Sequence, residues 1–486
     1  MAKIVVDPVT RIEGHLKLEV EVEGGVVVDA YTGGTLWRGL ELIMQGRDPR
    51  DAEQIMQRIC GVCPTAHATA GIMALDDAFG IEPPPAGRII RNLILGTNYL
   101  QSHILHFFHL AALDYVKGPD IAPFKPRYEA DYRLPADINA QAVDIYLEAL
   151  TIRRKAQEML AIWGGKMPHV QAIVPGGVSE TPDTSKIYQY LTSLEEISDF
   201  IDKKYVPTVV AVAGVYKDWY DIGRGCQNML AYGGFPLEEG KDFVAKKKFF
   251  NSGVYIQGQY GALNPKVIAE EVQYSWYKDD TGGKTPDIAV ISPDVKKKDA
   301  YSFLKAPRYN GAVMEVGPLA RQWINKTKEV TDLKDQAFSV MGRHFARAIE
   351  TQQMAKACKD WAMELTKYVG QPVCTPHTLP KTEVVGMGLA EASRGALGHW
   401  HRISSGGRTK VYNAVVPTTW NASPRTGSGA ATVRGPMEQA IIGTKVADPN
   451  NPVELVRIVR AYDPCFGCAI HLMTPDKKTI AQFAIN

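Results

Sequence analysis

The sequence has little that would tie it to a membrane, a polyanion or a disulfide scaffold. Its 486 residues carry 55 Lys and Arg against 53 Asp and Glu, a formal net charge of +2. That is too little to draw the chain to nucleic acid or anionic lipid by net charge, so neither is expected as a partner. Its longest apolar stretches, such as residues 206–216, fall well short of the roughly 20 residues needed to cross a bilayer. The start, Met1-Ala-Lys-Ile, opens directly into a strand-like pattern, so neither a cleaved leader nor an anchor is expected. There is no internal repeat, low-complexity tract or linker. With 45% hydrophobic, 22% charged and 9% aromatic residues, the chain cannot be mostly disordered or collagen-like. Its length allows two to four domains or one large unit with an ample core.

Cysteine is also scarce, and its placement is the most informative feature of the chain. The seven are Cys60, Cys63, Cys226, Cys358, Cys374, Cys465 and Cys468, four of them in two CxxC pairs. An odd total with three scattered singles argues against a disulfide framework, and those three are expected to be small buried hydrophobes. Cys60-Gly-Val-Cys63 and Cys465-Phe-Gly-Cys468 lie about 400 residues apart. A zinc ribbon spaces its knuckles by roughly 15–20 residues, and a thioredoxin-type site needs only one pair, at the start of a helix. The remaining possibility is one four-thiolate site assembled from both chain ends. Soft thiolates select late transition metals, and only a bound metal offsets the burial of so much charge.

Residues 15–22 alternate strictly, with Leu16, Leu18, Val20 and Val22 on one face, and turn through Glu23-Gly-Gly into residues 26–30, an N-terminal β-hairpin. Helices are expected over 52–58, with Asp51 as cap, and over 65–79, closed by Gly80. Residues 88–115 are apolar on more than one face and free of proline, as in the buried helix of a bundle core. Residues 138–162, 194–219 (interrupted at Pro207) and 332–368 are patterned similarly, whereas 234–310 read as a β and loop insertion. The expected fold class is α+β and helix-rich: a central buried helix bundle with an N-terminal hairpin and peripheral β and loop elaborations, as one domain.

Four motifs, in order and nearly end to end, now bear on function: Arg11-Ile-Glu-Gly-His15, Arg58-Ile-Cys-Gly-Val-Cys63 with His67, Ala392-Ser-Arg-Gly395, and Asp463-Pro-Cys-Phe-Gly-Cys-Ala-Ile-His471. In these the chain resembles the large subunit of nickel-iron hydrogenases. Asn98-Tyr-Leu-Gln-Ser-His-Ile-Leu-His106 is most similar to the nickel-iron-selenium subgroup, in which selenocysteine often replaces the first cysteine of the C-terminal pair; here position 465 is Cys. The resemblance implies Cys60 and Cys465 as terminal nickel ligands, and Cys63 and Cys468 as bridges to an iron carrying carbon monoxide and cyanide. It implies that Arg394 sits beside the diatomic ligands and that Thr418, in Val416-Pro-Thr-Thr-Trp420, donates to a cyanide. Glu13 is the implied proton acceptor. Glu41 and His471 match ligands of a separate magnesium or iron ion, helped by a carbonyl near Thr419. His67 is expected to orient a thiolate rather than to ligate. His103, His106 and His109 lie three apart and could line one helix face as a proton route, or be packed core histidines with backbone partners. Two positions depart from the family pattern: Ser393 stands where proline usually precedes the arginine, and Gln101-Ser102-His103 replaces a run with an acidic residue between two histidines.

The implied activity is reversible heterolytic cleavage of dihydrogen, with Cys465 taking the proton first and Glu13 passing it on. Three remaining cysteines cannot ligate a conventional iron-sulfur cluster, so a small subunit carrying the clusters is expected. The subgroup resemblance points to the periplasm, with any membrane association through a partner, and an exported partner can carry the signal for both chains. Family members are cut after the histidine that follows the last CxxC, so residues 472–486 are expected to be a precursor extension. A maturation protease and nickel-insertion factors are further expected partners. Two alternatives stand beside this reading: a catalytically silent, structural or quinone-type relative, and a protein whose ends are joined by structural zinc.

Overall fold

The computed structural model describes residues 2–469, without the side chains of Cys468 and Ala469. The alternation at the N-terminus folds as expected, with one addition. Strands Leu16–Glu23 and Val26–Gly34 form the hairpin, and Ala2–Val6 adds antiparallel to its outer edge, Ile4 opposite Val20 and Val20 opposite Ala30. Leu16, Leu18, Val20 and Val22 face the core. The loop between the first two strands carries Glu13.

The bundle is built from Pro64–Phe79, Pro85–Leu105, Ala136–Gly164, Thr184–Phe200 and Val340–Leu365. Pro85–Leu105 is buried on every face from Ala86 to Ile104, and its polar residues are met inside: Arg88 and Asn92 donate to the Pro236 carbonyl and Arg91 to Asp76. Its regular winding stops at Leu105, and the rest of the expected helix continues as π-helix over His106–Ala111 and 3-10 helix over Ala112–Asp114. The expected break at Pro207 is a widened turn: Thr184–Phe200, capped by the Asp183 carboxylate, passes into a π-helix over Ile201–Tyr205 and resumes as Val206–Val215. Proline lacks the N–H for the regular ladder, and its ring crowds the carbonyl four residues back; the wide turn absorbs both. The helix expected from residue 332 starts at Val340, because the Ser339 hydroxyl accepts the Gly342 N–H at 3.0 Å and sets the cap there. Asp51 is the first residue of its helix, not the cap, which is Arg50. Residues 234–310 hold short paired strands and loops, as expected.

The element not anticipated is a second antiparallel sheet, Val384–Ala392, Gly395–Ile403 and Thr409–Val415, packed flat on the Pro64–Phe79 helix. The helix offers Ala70, Ala74 and Ala78, and the strand offers Gly386 and Gly388, so the two backbones approach closely. A Cβ added at Gly388 would lie 1.9 Å from the Ala70 carbonyl oxygen. This approach sets the distance between the first CxxC, at the head of the helix, and the tight turn that carries Arg394.

Gly388→Ala should therefore cost about 1–3 kcal/mol or more by overpacking, whereas Gly214→Ala, in an exposed stretch of helix with open space at the Cβ, should be neutral or stabilise by about 0.5–1 kcal/mol. Thermal unfolding of the two variants checks this; equal melting temperatures would mean that the helix–sheet spacing is soft.

Candidate metal centre

Cys60 follows a short 3-10 turn, Gln57–Ile59, and Cys63 caps the Pro64–Phe79 helix, so the first CxxC straddles the gap between two helical segments. The amides of Val62 and Cys63 donate to the Cys60 sulfur at 3.2 and 3.4 Å, which favours its thiolate. Cys465 arrives from the far end of the chain. Its Sγ lies 3.2 Å from that of Cys60 and 3.9 Å from that of Cys63, too far for a disulfide, whose bond is about 2.05 Å. All three sulfurs are buried and lie within 4.8 Å of one another. Cys468 falls in the Phe466–Ala469 helix one turn beyond Cys465, but its side chain lies outside the described residues, as does all of His471.

Glu13 joins this cluster by backbone and side chain. It forms a parallel β-bridge with Cys465, its carbonyl accepting the Phe466 N–H at 2.7 Å. Its Oε2 accepts from the Cys465 thiol at 3.0 Å and from the Gly467 N–H at 2.7 Å. Residue 467 must be small, since a Cβ there would sit 2.3 Å from Oε1. Burial, with the negative charge of Cys60 second, raises the pKa of Glu13 above the ordinary carboxylate value, against the hydrogen bonds that favour its anion. The Thr418 hydroxyl oxygen accepts the Cys465 N–H at 2.8 Å, which leaves its own proton to donate elsewhere.

Arg394 occupies the two-residue turn between Val384–Ala392 and Gly395–Ile403, closed by the pairing of Ala392 with Gly395. The turn is gripped from behind by the buried Arg321, which donates to the carbonyls of Ala392 (3.0 Å) and Ser393 (2.9 Å) while paired to Glu350 and Glu391. Arg394 donates Nη2 to Asp463 Oδ1 at 2.8 Å and Nε to the Asp463 carbonyl at 3.0 Å. Burial opposes its charge, but Asp463 and the three sulfurs hold it protonated. At the two departures from the family pattern, Ser393 Oγ donates to Ser102 Oγ at 3.0 Å, and Arg394 Nη1 lies 3.4 Å from that same oxygen.

Glu41 stands in a separate buried cluster with Lys305, Glu270 and Tyr277; burial first, with Lys305 opposing, lifts its pKa to about 7. His67, one helical turn after Cys63, meets His399 at 3.2 Å, and burial pulls its pKa down to about 4. The other three histidines have separate partners: His103 the Glu350 carboxylate (3.0 Å), His106 the Arg460 carbonyl (2.6 Å) and His109 the Tyr146 carbonyl (3.3 Å). His106 and His109 thus have the backbone partners of the packing alternative, and His103 a carboxylate.

Three residues escaped the sequence reading. Asp463 was visible only as the first letter of a motif. Ser102 was visible only as a departure. Arg38 clasps both CxxC segments, donating to the carbonyls of Arg58 (3.0 Å), Ile59 and Gly467 (2.6 Å); the one signal was its place in Trp37-Arg-Gly-Leu-Glu41.

The donor set fits a soft transition metal: three buried sulfurs, amide donors on one of them, and a buried guanidinium to balance negative charge. Known proteins agree. The profile of the nickel-dependent hydrogenases matches residues 38–121 and 116–471, and a HoxL-like profile matches residues 3–32. The chain is 45% identical to the periplasmic NiFeSe hydrogenase large subunit of Desulfomicrobium baculatum, over 97% of this chain and 95% of that protein. It is 33% identical to the hydrogenase-1 large chain of Escherichia coli, over 100% and 97%. It superposes on the Ni-Fe-Se hydrogenase of D. vulgaris Hildenborough in the reduced state with a TM-score of 0.92 and 46% identity, covering 97% of this chain and 100% of that one. The chain belongs to the nickel-dependent hydrogenase family and is the large, catalytic subunit of such an enzyme.

Proposed function

We propose that Cys60, Cys63, Cys465 and Cys468 hold a nickel-iron centre, Cys60 and Cys465 as terminal nickel ligands and Cys63 and Cys468 as bridges. The observation that carries this reading is the meeting of three cysteine sulfurs from opposite chain ends beside one carboxylate. When bound, the centre supplies the polarisation that splits dihydrogen heterolytically and reversibly. Cys465 Sγ takes the proton, and Glu13 Oε2, within hydrogen-bond reach at 3.0 Å, accepts it. The raised pKa of Glu13 suits a group that must carry a proton. Arg394, locked by Asp463, and Thr418 flank the place where carbon monoxide and cyanide on the iron would be held. Glu41 and His471, with a carbonyl near Thr419, would hold a separate magnesium or iron ion; the buried Glu41 carboxylate supports a cation there.

Electrons leave to a small subunit carrying iron-sulfur clusters, because Cys226, Cys358 and Cys374 are three thiols on separate elements and cannot form a four-thiolate site. The periplasmic relative supports the periplasm as the location, with any membrane association through a partner; no helix among the described residues is long and apolar enough to cross a membrane. Residues 1–471 would form the mature domain after nickel-insertion factors have loaded it and a maturation protease has removed 472–486. The end of the family match at residue 471 supports that boundary.

Cys63→Ser should lose nickel and iron together, while Cys226→Ser keeps both; elemental analysis of the purified enzyme checks this, and zinc in place of nickel in the parent protein would favour a structural staple instead. Glu13→Gln keeps the shape and removes the ionisable oxygen, so hydrogen oxidation should fall by at least roughly 10²-fold with metal content unchanged. Near-normal turnover in that variant would mean that protons leave by another way. Intact mass should place the end of the active chain at His471, and an active chain still ending at Asn486 would refute the processing step.

A further inference from the structure

Behind His67 the fold builds a buried line of polar groups that the proposed proton step does not use. His67 Nδ1 meets His399 Nε2 at 3.2 Å, and His399 Nδ1 meets the Tyr412 hydroxyl at 2.7 Å. All three side chains are at most 1% exposed. They come from three elements, the Pro64–Phe79 helix and the strands Gly395–Ile403 and Thr409–Val415, brought together by the helix–sheet approach described above. Gly71 leaves the room: a Cβ there would lie 3.2 Å from the Tyr412 hydroxyl and 3.7 Å from His399 Nδ1.

Hydrogen-bond bookkeeping gives this line a direction. The hydrogen-bond partner of the Tyr412 hydroxyl among the described residues is His399. Burial keeps the phenol protonated, so it is a donor that must be satisfied, and His399 Nδ1 must accept it. A neutral imidazole that accepts at Nδ1 carries its proton on Nε2, so His399 donates to His67 Nδ1. By the same rule His67 carries its proton on Nε2, the nitrogen that does not face His399. The reverse polarity would leave a buried phenol O–H without an acceptor among the described residues.

We infer that Tyr412 and His399 are positioning residues that fix His67 as the Nε2–H tautomer, so that the imidazole beside the sulfur cluster presents a donor and never a lone pair. The direction of the line rests on these hydrogen bonds alone; its value to a thiolate, which a donor stabilises and a lone pair repels, rests on the metal-centre reading. His67 lies one turn from Cys63 and within the electrostatic reach of Cys60.

The test is nitrogen NMR of the enzyme purified with its small subunit and labelled with 15N-histidine, the His67 signals being assigned by their loss in His67→Asn. In the parent enzyme His67 should show a protonated Nε2 and a bare Nδ1; the opposite pattern overturns the inference without any variant. In Tyr412→Phe the pattern should become mixed or reversed, and hydrogen oxidation should fall about tenfold, at the lower end of the 10–100-fold typical of groups behind a metal ligand, with nickel content at the parent level. An unchanged His67 pattern in Tyr412→Phe overturns the role of Tyr412. Nickel is measured on the same samples: nickel-free parent protein with an intact Nε2–H pattern would sink the metal assignment and leave the polarity standing.

Discussion

Everything at the centre depends on closing the two ends of the chain over buried sulfur. A cysteine pair near the N-terminus and another near the C-terminus make one site only if some 400 intervening residues return the chain to its start, and the closure is held by several independent bonds. The Glu13–Cys465 bridge joins a loop near the start of the chain to the second CxxC segment. Arg38 spans the carbonyls on both sides of the cluster. Arg460, on the helix that leads into the second CxxC, donates to the Thr10 carbonyl at 2.9 and 3.1 Å and to Asp114 at 2.6 Å. The N-terminal loop, the end of the long buried helix and the C-terminal helix are thus fixed to one another before any metal is considered. A centre assembled this way is as rigid as its weakest closure, which is why so many cations converge on backbone carbonyls around it.

Those cations are costly to bury, and their arrangement shows what they are for. Arg321, Glu350 and Glu391 are fully buried, with His103 on the same carboxylate. Buried ion pairs of this kind seldom add net stability over apolar packing, but removing one partner typically costs about 3–5 kcal/mol. They therefore act as locks on geometry. Arg321 locks the turn that holds Arg394, and Asp463 locks the guanidinium itself. Asp463 does so from a positive φ of 52°, a strained conformation for a residue with a side chain. The strain is tolerated where the chain must turn sharply between Arg460 and Cys465.

What could be read from sequence followed from periodicity and from spacing. Strict alternation at Leu16 to Val22 fixed the hairpin, and apolarity on more than one face marked the long buried helix. The two CxxC pairs announced a site shared between chain ends. The C-terminal sheet was invisible for a physical reason: Val384–Ala392 alternates in size rather than polarity, with Gly386, Gly388, Ala390 and Ala392 on one face, where a helix lies against Gly386 and Gly388, and mostly apolar residues on the other, so the usual apolar–polar signal of a strand is missing. The π-helical turn at His106 was equally hidden, since a widened turn leaves the apolar pattern nearly intact, while that at Ile201 was marked only by the interruption at Pro207. Arg38 and Arg321 act on backbone carbonyls, and Asp463 and Arg321 on side chains from 29 to 70 residues away, and no local pattern records such bonds.

The two departures from the family pattern become one feature once their contact is known. Where the resemblance implies an acidic residue and a proline, this chain has two hydroxyls, Ser102 and Ser393. The Ser393 hydroxyl donates to Ser102 Oγ at 3.0 Å, and the Arg394 guanidinium lies 3.4 Å from that Ser102 oxygen. Neither change is self-sufficient: a lone buried Ser102 hydroxyl would want a partner, and a proline at 393 carries no hydroxyl to supply one. Together they are satisfied and uncharged. The positive charge of Arg394 is then met by Asp463 on one side and by the three cysteine sulfurs on the other.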